Sequence, residues 1–377
     1  MNYNLSEEQK ILKKAAHDFL ANECPKEQVR QVEEGEQGYS EDLWRKMADL
    51  GWMGLIIPET YGGIGGSFLD LTILLEEMGY NICPGPFIPT VVLGSLPILL
   101  AGSEKLKAQL LPQIAGGQKI ITLALSEIDA GYEAGSVNVT ARPDGNGYTI
   151  DGTKLFVPYA HVADHIICVA RTRESADPKQ GISLFVLDAE STGMSCSLLK
   201  TLGGDKQCEL VFNGAHVAGE NVIGNADEGW TTVEETLQKA AIAASAEMIG
   251  GAQAVMDMAL QYARERTQFN HPIGSFQAIQ HHFADMWADI NGSRNLLYKT
   301  AWKISEGLNA DIEVAMTKAR VGKTYRRVTI LGHQIFGGIG FTKEHDMHLY
   351  HKRSIVGDLS FGSADFHYGK IARQLGL

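Results

Sequence analysis

The spacing of apolar residues changes twice along this chain of 377 residues, and these changes constrain its fold most strongly. Up to residue 118, apolar residues recur every three or four positions, which is typical of amphipathic helices. Residues 119–228 instead contain alternating or β-branched runs, and Asp144–Gly147 between two of them is typical of a hairpin turn. From residue 229 the helical spacing returns, in long segments at about 230–266, 276–306, 310–333 and 344–375.

This order predicts an α+β fold. We expect an N-terminal helical domain over residues 1–118, a middle antiparallel β domain over 119–228 and a C-terminal four-helix bundle over 229–377. Ser6 followed by Gln9 predicts a capping box at the start of the first helix. No GxGxxG motif joins a strand to a helix, so the sequence disfavours a nicotinamide-binding dinucleotide fold.

Composition excludes several classes of function. The net charge of −12, with no cluster of Lys and Arg, argues against a general nucleic-acid binder. The five cysteines include no CxxC pair, which favours a reducing compartment over a disulfide framework. The first twenty residues lack the pattern of a secretory signal, and no apolar run approaches the length of a membrane span, so we expect a cytoplasmic protein.

The segment Tyr262–Gln277 (YARERTQFNHPIGSFQ) combines a helix end, a short loop and the start of another helix. Ser275 is the predicted N-cap of the second helix. Arg266 supplies a fork of donors suited to a phosphate, and Phe269 supplies a flat apolar face. Two interpretations stay open from these residues alone: an anion-binding corner, or an ordinary well-capped turn between helices.

The same segment resembles the acyl-CoA dehydrogenase family, which has an Arg, a Phe-Gly pair, a Pro-Ile-Gly and a Phe-Gln at this place. Three other segments resemble that family in the same order along the chain: Leu50–Gly63 (LGWMGLIIPETYGG), Leu202–Trp230 and Gln334–Thr342 (QIFGGIGFT). The resemblance implies removal of a proton from the α carbon of an acyl-CoA while hydride leaves the β carbon for FAD. Electrons would then pass to an electron-transferring flavoprotein.

The resemblance also implies residues that contact FAD. Leu125 and Ser126 match the flavin-contacting strand, and Phe156 occupies the usual Trp place against the ring. The family's contacts to a neighbouring subunit's FAD, and the complementary contacts to its adenosine and pyrophosphate, fall on these residues: Arg266, Gln268, Phe269, Gln277, Gln334, Gly337 and Gly338. Each FAD would then be completed by two chains, which implies at least a dimer. Pro158 departs from the family, because it replaces a Thr or Ser whose hydroxyl approaches the flavin.

The catalytic base is the main departure. The family's commonest catalytic Glu corresponds here to Phe361, and its second known location corresponds to Ala240. Neither side chain accepts a proton. The nearest acid on the same helix is Glu247, about two turns later within an apolar, small-residue stretch, where burial would raise its affinity for a proton. The competing interpretation is a structural Glu that pairs with Arg or His or lies at a solvated edge.

Two further functions are compatible with the same residues. The missing Glu suggests a subunit that completes FAD in a heteromeric acyl-CoA dehydrogenase, and a flavin monooxygenase on the same fold would need no such base. The Ala- and Gly-rich stretch around Glu247 suits either a wide acyl channel or close helix packing. We predict no metal site, because His345, His348 and His351 lack the accompanying carboxylates.

Overall fold

The structure is a computed structural model that describes residues 5–129 and 131–377. Its helices are α1 (Glu7–Glu23), α2 (Lys26–Glu34), α3 (Glu41–Asp49), α4 (Phe68–Asn81), α5 (Ser95–Ala101), α6 (Glu104–Ala115), α7 (Trp230–Glu265), α8 (Gln277–Ser305), α9 (Asp311–Phe336), α10 (Met347–Leu359) and α11 (Ala364–Gln374). Its strands are β1 (Ile121–Ala124), β2 (Thr140–Asp144), β3 (Gly147–Pro158), β4 (His165–Arg171), β5 (Ile182–Asp188), β6 (Met194–Leu199), β7 (Gln207–Ala218), β8 (Val222–Ile223), β9 (Thr267–Gln268) and β10 (His271–Pro272).

The chain divides into two compact units. A helical unit comprises the chain up to Arg30, Ser67–Cys83 and Ala241–Leu377, and a sheet-containing unit comprises Gln31–Gly66 and Pro84–Ala240. These two units are interleaved along the chain and do not correspond one to one to the three predicted domains. The domain boundaries predicted after residues 118 and 228 therefore stay predictions. No helix in the described part of the chain is long and apolar enough to cross a bilayer.

The sheet-containing unit is built on one large sheet with the strand order β6-β7-β3-β2-β4-β5-β8. The predicted hairpin is confirmed, because Asp144 pairs with Gly147 at the turn between β2 and β3. The prediction of an antiparallel domain needs one correction: β1 and β2 both pair with β4 in parallel, so the sheet is mixed. Parallel pairing arises here because longer connections, rather than tight hairpins, join these strands.

The helical unit brings α4 and α7 into very close contact. A Cβ added to Gly79 would lie 2.0 Å from the carbonyl oxygen of Glu247, and one added to Gly250 would lie 1.8 Å from that of Glu76. Any larger residue at either glycine would clash with the opposite helix backbone. The small residues around Glu247 therefore allow close helix packing, which was one of the two roles predicted for them.

Most predicted helix starts and the order of helical and sheet regions are confirmed, and three details differ. Ser6 and Gln9 form the predicted capping box of α1. Ser275 is not the N-cap of α8: Phe276 occupies that position without a side-chain cap, and the Ser275 hydroxyl instead donates to the carbonyl of Pro272. The last predicted segment contains two helices, α10 and α11, and the largely exposed strand β6 was not predicted because it lacks alternating apolar residues.

Candidate active site

Glu247 lies in an environment made by three neighbouring helices of the helical unit. Gly79 on α4 approaches its backbone, and Gly251 on α7 adjoins the ring of Tyr325 on α9. On the third side, a Cβ at Gly357 of α10 would lie 2.8 Å from the side chain of Met248. The side chain of Glu247 is mostly buried but retains some exposure. It is therefore shielded from bulk water without being sealed from a small reactant.

The carboxylate of Glu247 makes no hydrogen bond or ion pair within 4 Å to any residue in the described part of the chain. Burial raises its pKa to about 7, and the positive charge of Arg353 on α10 opposes that rise. The charge of Arg353 also opposes the rise in the pKa of the buried Tyr325 hydroxyl and of the partly buried Cys83 thiol. A carboxylate in this environment exchanges a proton near neutral pH, which a general base requires.

This raised pKa predicts that Glu247 lowers the stability of the folded protein as the pH rises. The folded state holds the proton more tightly than the unfolded chain, whose carboxyl pKa stays near 4.5. The stabilising effect of protonation is therefore present below about pH 4.5 and is lost as the pH rises through 7. The free energy of unfolding should fall by about 2 to 3 kcal/mol between about pH 5 and pH 8 on this account.

Urea unfolding of the wild type and Glu247→Gln at both pH values measures this effect. The free energy of unfolding of the wild type minus that of the variant should fall by about 2 to 3 kcal/mol from about pH 5 to pH 8. A constant effect of the substitution on stability cancels in this comparison. Parallel pH dependences in the two proteins would contradict a raised pKa at Glu247.

The two positions predicted to correspond to the family's catalytic Glu are apolar. Ala240 is fully buried. Phe361 adopts φ 58° in a turn between α10 and α11, and its carbonyl lies 3.0 Å from Nε2 of His367. Nζ of Lys318 donates to the carbonyl of Gly362 at 2.9 Å. The turn is therefore firmly held, but it offers no carboxylate.

In the sheet-containing unit, the predicted flavin-contacting residues lie beside a buried ion pair. Nζ of Lys154 lies 2.6 Å from Oε1 of Glu127 and donates to the carbonyl of Leu125 at 2.9 Å. The carbonyl of Ser126 accepts a hydrogen bond from the backbone N–H of Leu155 at 2.8 Å, and the Ser126 hydroxyl has no partner in the described chain. These bonds fix the backbone of the predicted flavin strand to β3.

Phe156 is displayed by an irregularity of β3. Its φ is 54°, at a shift in the register between β3 and β7, and its ring is 54% exposed. A positive φ at an aromatic residue is strained and clusters at functional positions. Phe156 therefore presents a flat apolar face to the surface, as the predicted contact with a flavin ring requires. Pro158 ends β3 two residues later and pairs with Gln207.

In the helical unit, a two-residue turn presents Phe269. Gln268 pairs with His271, and the intervening Phe269 and Asn270 have φ values of 53° and 63°, as in a type I′ turn. The Phe269 ring is 86% exposed. The side chains of Arg266 and Gln268 have no partner among residues 5–129 and 131–377, so their donors remain available to a ligand.

The turn after α9 lies at the same end of the helical unit. The ring of Tyr262, one turn before Arg266, lies 5.1 Å from that of Phe336 at the end of α9. An added Cβ at Gly337 or Gly338 would meet nothing within 4 Å in the described chain, and Gly337 has φ 63°. The structure therefore brings the loop after Arg266 near the open turn at Gly337 and Gly338. Gln277 is the first residue of α8, and Gln334 lies within α9.

Sequence reasoning missed the residues that support these positions. Arg353 was not predicted, since a single Arg on a mixed helix gives no signal of what it faces. Lys154 and Glu127 had a weak signal in the sequence. Lys154 follows the apolar Ile150 by four residues, which places both side chains on the same face of a strand, and the structure shows that both are buried. A charged residue there requires a partner, but the sequence does not indicate which one.

Comparison with known proteins identifies the family of the chain. Residues 6–118, 122–215 and 227–376 match the profiles of the acyl-CoA dehydrogenase N-terminal, middle and C-terminal domains. The caffeyl-CoA reductase–Etf complex subunit CarC of Acetobacterium woodii is 31% identical over 90% of this chain and 90% of its own.

Two solved structures share the fold over the whole of this chain. Butyryl-CoA dehydrogenase from Megasphaera elsdenii is 28% identical, with a TM-score of 0.93 and 100% of both chains covered. A chain of the ChsE4–ChsE5 complex from Mycobacterium tuberculosis is 29% identical, with a TM-score of 0.90 and 99% of that chain covered. The three profile matches and these relatives show that the chain belongs to the acyl-CoA dehydrogenase family of FAD-dependent oxidoreductases.

Proposed function

We propose that this protein oxidises an acyl-CoA thioester to the α,β-enoyl-CoA and passes the electrons to an electron-transferring flavoprotein. The observation that carries the proposal is Glu247, a carboxylate without a partner in the described chain whose pKa is raised to about 7. Both positions that hold the base elsewhere in the family are apolar, so Glu247 is the acid on α7 best suited to take the α proton.

Glu247 would accept the proton from the α carbon with one carboxylate oxygen. A pKa near 7 makes this carboxylate a stronger base than a solvated Glu while leaving it ionised in a large fraction of molecules at neutral pH. FAD, when bound, supplies the hydride acceptor. The nearby charge of Arg353 keeps the pKa from rising further, so the base remains available.

The residues present fit FAD in each unit taken separately. In the sheet-containing unit, the free hydroxyl of Ser126 and the exposed ring of Phe156 suit contacts to a planar heterocycle. In the helical unit, the unpartnered guanidinium of Arg266 suits a pyrophosphate, and the open Gly337 turn allows close backbone approach. As in the family, we propose that the helical-unit residues complete the FAD of a neighbouring subunit.

Replacing Arg266 with Ala is expected to weaken FAD retention. Each charge-assisted bond to phosphate that is lost should cost roughly 1.5–3 kcal/mol, which is at least a tenfold loss of affinity. Flavin absorbance per protein after desalting measures the effect. Arg264→Ala is the matched control, because Arg264 lies two residues away in α7 and is also exposed. Equal flavin content in the two variants would remove Arg266 from the cofactor site.

Names of relatives support the proposed partners. The Acetobacterium woodii relative is a subunit of a reductase–Etf complex, and the Mycobacterium tuberculosis relative comes from a complex of two different chains. The absence of a carboxylate at Phe361 specifically favours a second candidate function, a subunit that completes FAD in a heteromer while another chain supplies the base. An apolar residue at position 361 is compatible with both candidate functions. A test of Glu247 is therefore needed to distinguish them.

Anaerobic mixing with acyl-CoA thioesters tests the proposed reaction. The purified FAD-bound protein should lose its flavin absorbance near 450 nm without added nicotinamide nucleotide, because the substrate itself donates hydride. Acyl-CoAs of several chain lengths and a ring-bearing thioester should be compared, with free CoA as the control. Flavin that is reduced only by a nicotinamide nucleotide, followed by an oxygen-dependent product, would support a monooxygenase instead.

A further inference from the structure

The sheet-containing unit holds two cysteines and a histidine that the proposed reaction does not use. Sγ of Cys208 lies 3.6 Å from Nδ1 of His161, and Nε2 of the same ring lies 2.9 Å from the carbonyl oxygen of Glu36. Cys196 lies on β6, the strand paired with the β7 strand that carries Cys208. Cys208 is completely buried, whereas Cys196 is exposed on strand β6.

The bond to Glu36 determines how His161 acts. A carbonyl oxygen only accepts hydrogen bonds, so Nε2 must carry the hydrogen in the neutral ring. Nδ1 then presents its lone pair to Cys208, which is the arrangement of a base that activates a thiol. The ring is held in place by Tyr159, which stacks on it with a centroid distance of 6.4 Å and whose hydroxyl donates to the carbonyl of Gly38 at 3.3 Å.

The register of the sheet places the two sulfurs together. Cys196 pairs with Leu210, and Leu198 pairs with Cys208, so the two cysteines are diagonal neighbours on the same face of β6 and β7. Strand β6 is at the edge of the sheet and, among residues 5–129 and 131–377, is bonded only to β7. Diagonal neighbours are about 7–8 Å apart, slightly more than a disulfide spans, and an edge strand can move by the remaining ~1 Å.

We propose that Cys196 and Cys208, activated by His161, form an oxidisable dithiol that reacts with hydrogen peroxide. His161 contacts Cys208, so Cys208 is the sulfur that becomes the thiolate, whereas the neighbouring Cys208 raises the pKa of the exposed Cys196 thiol and leaves the shared proton on Cys196. The neighbouring Cys196 thiol, followed by the contact with His161, lowers the pKa of Cys208 to about 5 despite its burial. The bond to Cys208 correspondingly raises the pKa of the His161 ring.

The reaction balances with peroxide as the oxidant. Cys208 starts as a thiolate beside protonated His161 and takes the proton of the Cys196 thiol while the Cys196 sulfur attacks one peroxide oxygen. The O–O bond breaks, and the departing hydroxide takes the proton of His161 to give water and a Cys196 sulfenic acid. Cys208 passes its proton to Nδ1 of His161 and attacks the Cys196 sulfur. The S–O bond breaks as the S–S bond forms, and the leaving hydroxide takes the proton from His161. Two thiols and one peroxide thus give one disulfide and two waters.

Peptide mapping of the full-length FAD-bound protein tests this proposal. The protein is treated with stoichiometric hydrogen peroxide, its remaining thiols are blocked, and it is digested with trypsin. Cleavage after Lys200 and Lys206 places the two cysteines in separate peptides. We expect these peptides to be joined by a disulfide that dithiothreitol reverses, and His161→Gln should slow the joining at least about 10-fold.

Three controls make the result decisive. Cys168→Ser removes a buried thiol whose pKa is raised to about 12 by burial, and it should leave the joining unchanged. Cys208→Ser should abolish joining and leave Cys196 as a sulfenic acid that dimedone traps. Flavin content and melting temperature verify folding, and His161→Asn serves if His161→Gln does not fold. Absence of the cross-link, or equal rates in the wild type and the folded His161 variant, would overturn the proposal.

Discussion

Glu247→Gln is expected to slow the reduction of bound flavin by an acyl-CoA at least ~10²-fold, the lower end of the contribution of a general base. Gln has nearly the same size as Glu and retains hydrogen-bonding groups, but its amide cannot take the α proton. The glycine contacts that fix α7 beside α4 involve the backbone of residue 247, so the substitution leaves them intact. Stopped-flow absorbance under anaerobic conditions measures the rate.

The design separates catalysis from binding. FAD content and the affinity for acyl-CoA should change little in Glu247→Gln, because neither depends on proton transfer. Glu235→Gln is the matched control: Glu235 lies on the same helix and pairs with Lys239 at 2.7 Å, and its loss should leave the rate within about twofold. If Glu247→Gln reduces flavin at the wild-type rate, Glu247 is not the base and the heteromeric-subunit function becomes the leading candidate.

Glu127→Gln is expected to lower the free energy of unfolding by about 3–5 kcal/mol, the usual cost of removing one partner of a buried ion pair. Lys154 is 0% exposed, and after the substitution its ammonium would keep only the Leu125 carbonyl and a neutral amide as partners. Glu127 also accepts hydrogen bonds from the backbones of Asn138 and Val139, at 2.9 and 3.0 Å, so it fixes the segment before β2 as well.

A double-mutant cycle separates two contributions to the lost stability: the unpaired charge of Lys154, and the change to the Glu127 side chain itself. Glu127→Gln combined with Lys154→Met removes both charges and should recover part of the stability lost in the single variant. Glu220→Gln is the surface control, since Glu220 pairs with Lys105 at 2.6 Å but both side chains are more than half exposed. Its effect should stay below about 1 kcal/mol. Equal losses from the buried and the surface substitution would refute this interpretation.

The same variant should also weaken flavin binding. Lys154 is bonded to the carbonyl of Leu125, and the next residue, Ser126, is a predicted flavin contact. Loss of the ion pair would free this backbone, so the FAD content of Glu127→Gln after desalting should fall along with its stability. Recovery of stability without recovery of FAD in the double variant would indicate that the Lys154 bond to Leu125 itself positions the strand.

Local signals in the sequence determined the class of fold. Apolar periodicity gave the order of helical and sheet regions, the Ser6–Gln9 capping box gave the start of α1, and Asp144–Gly147 gave the hairpin. These features depend on residues close together in the chain, where capping and turn chemistry act. The resemblance to the family similarly rested on short contiguous motifs, and the matches over 6–118, 122–215 and 227–376 confirm it.

Only the tertiary structure decided what surrounds each functional side chain. Glu247 and Arg353 are separated by more than a hundred residues, and their electrostatic interaction arises because α7 and α10 pack together. The pairing of Lys154 with Glu127, and the contact of His161 with Cys208, likewise arise because the folded chain brings a strand residue beside a residue of a loop or turn, which sequence spacing does not indicate. The sequence supplied the titratable groups, but their proton affinities depend on burial and neighbouring charges, which exist only after the chain has folded.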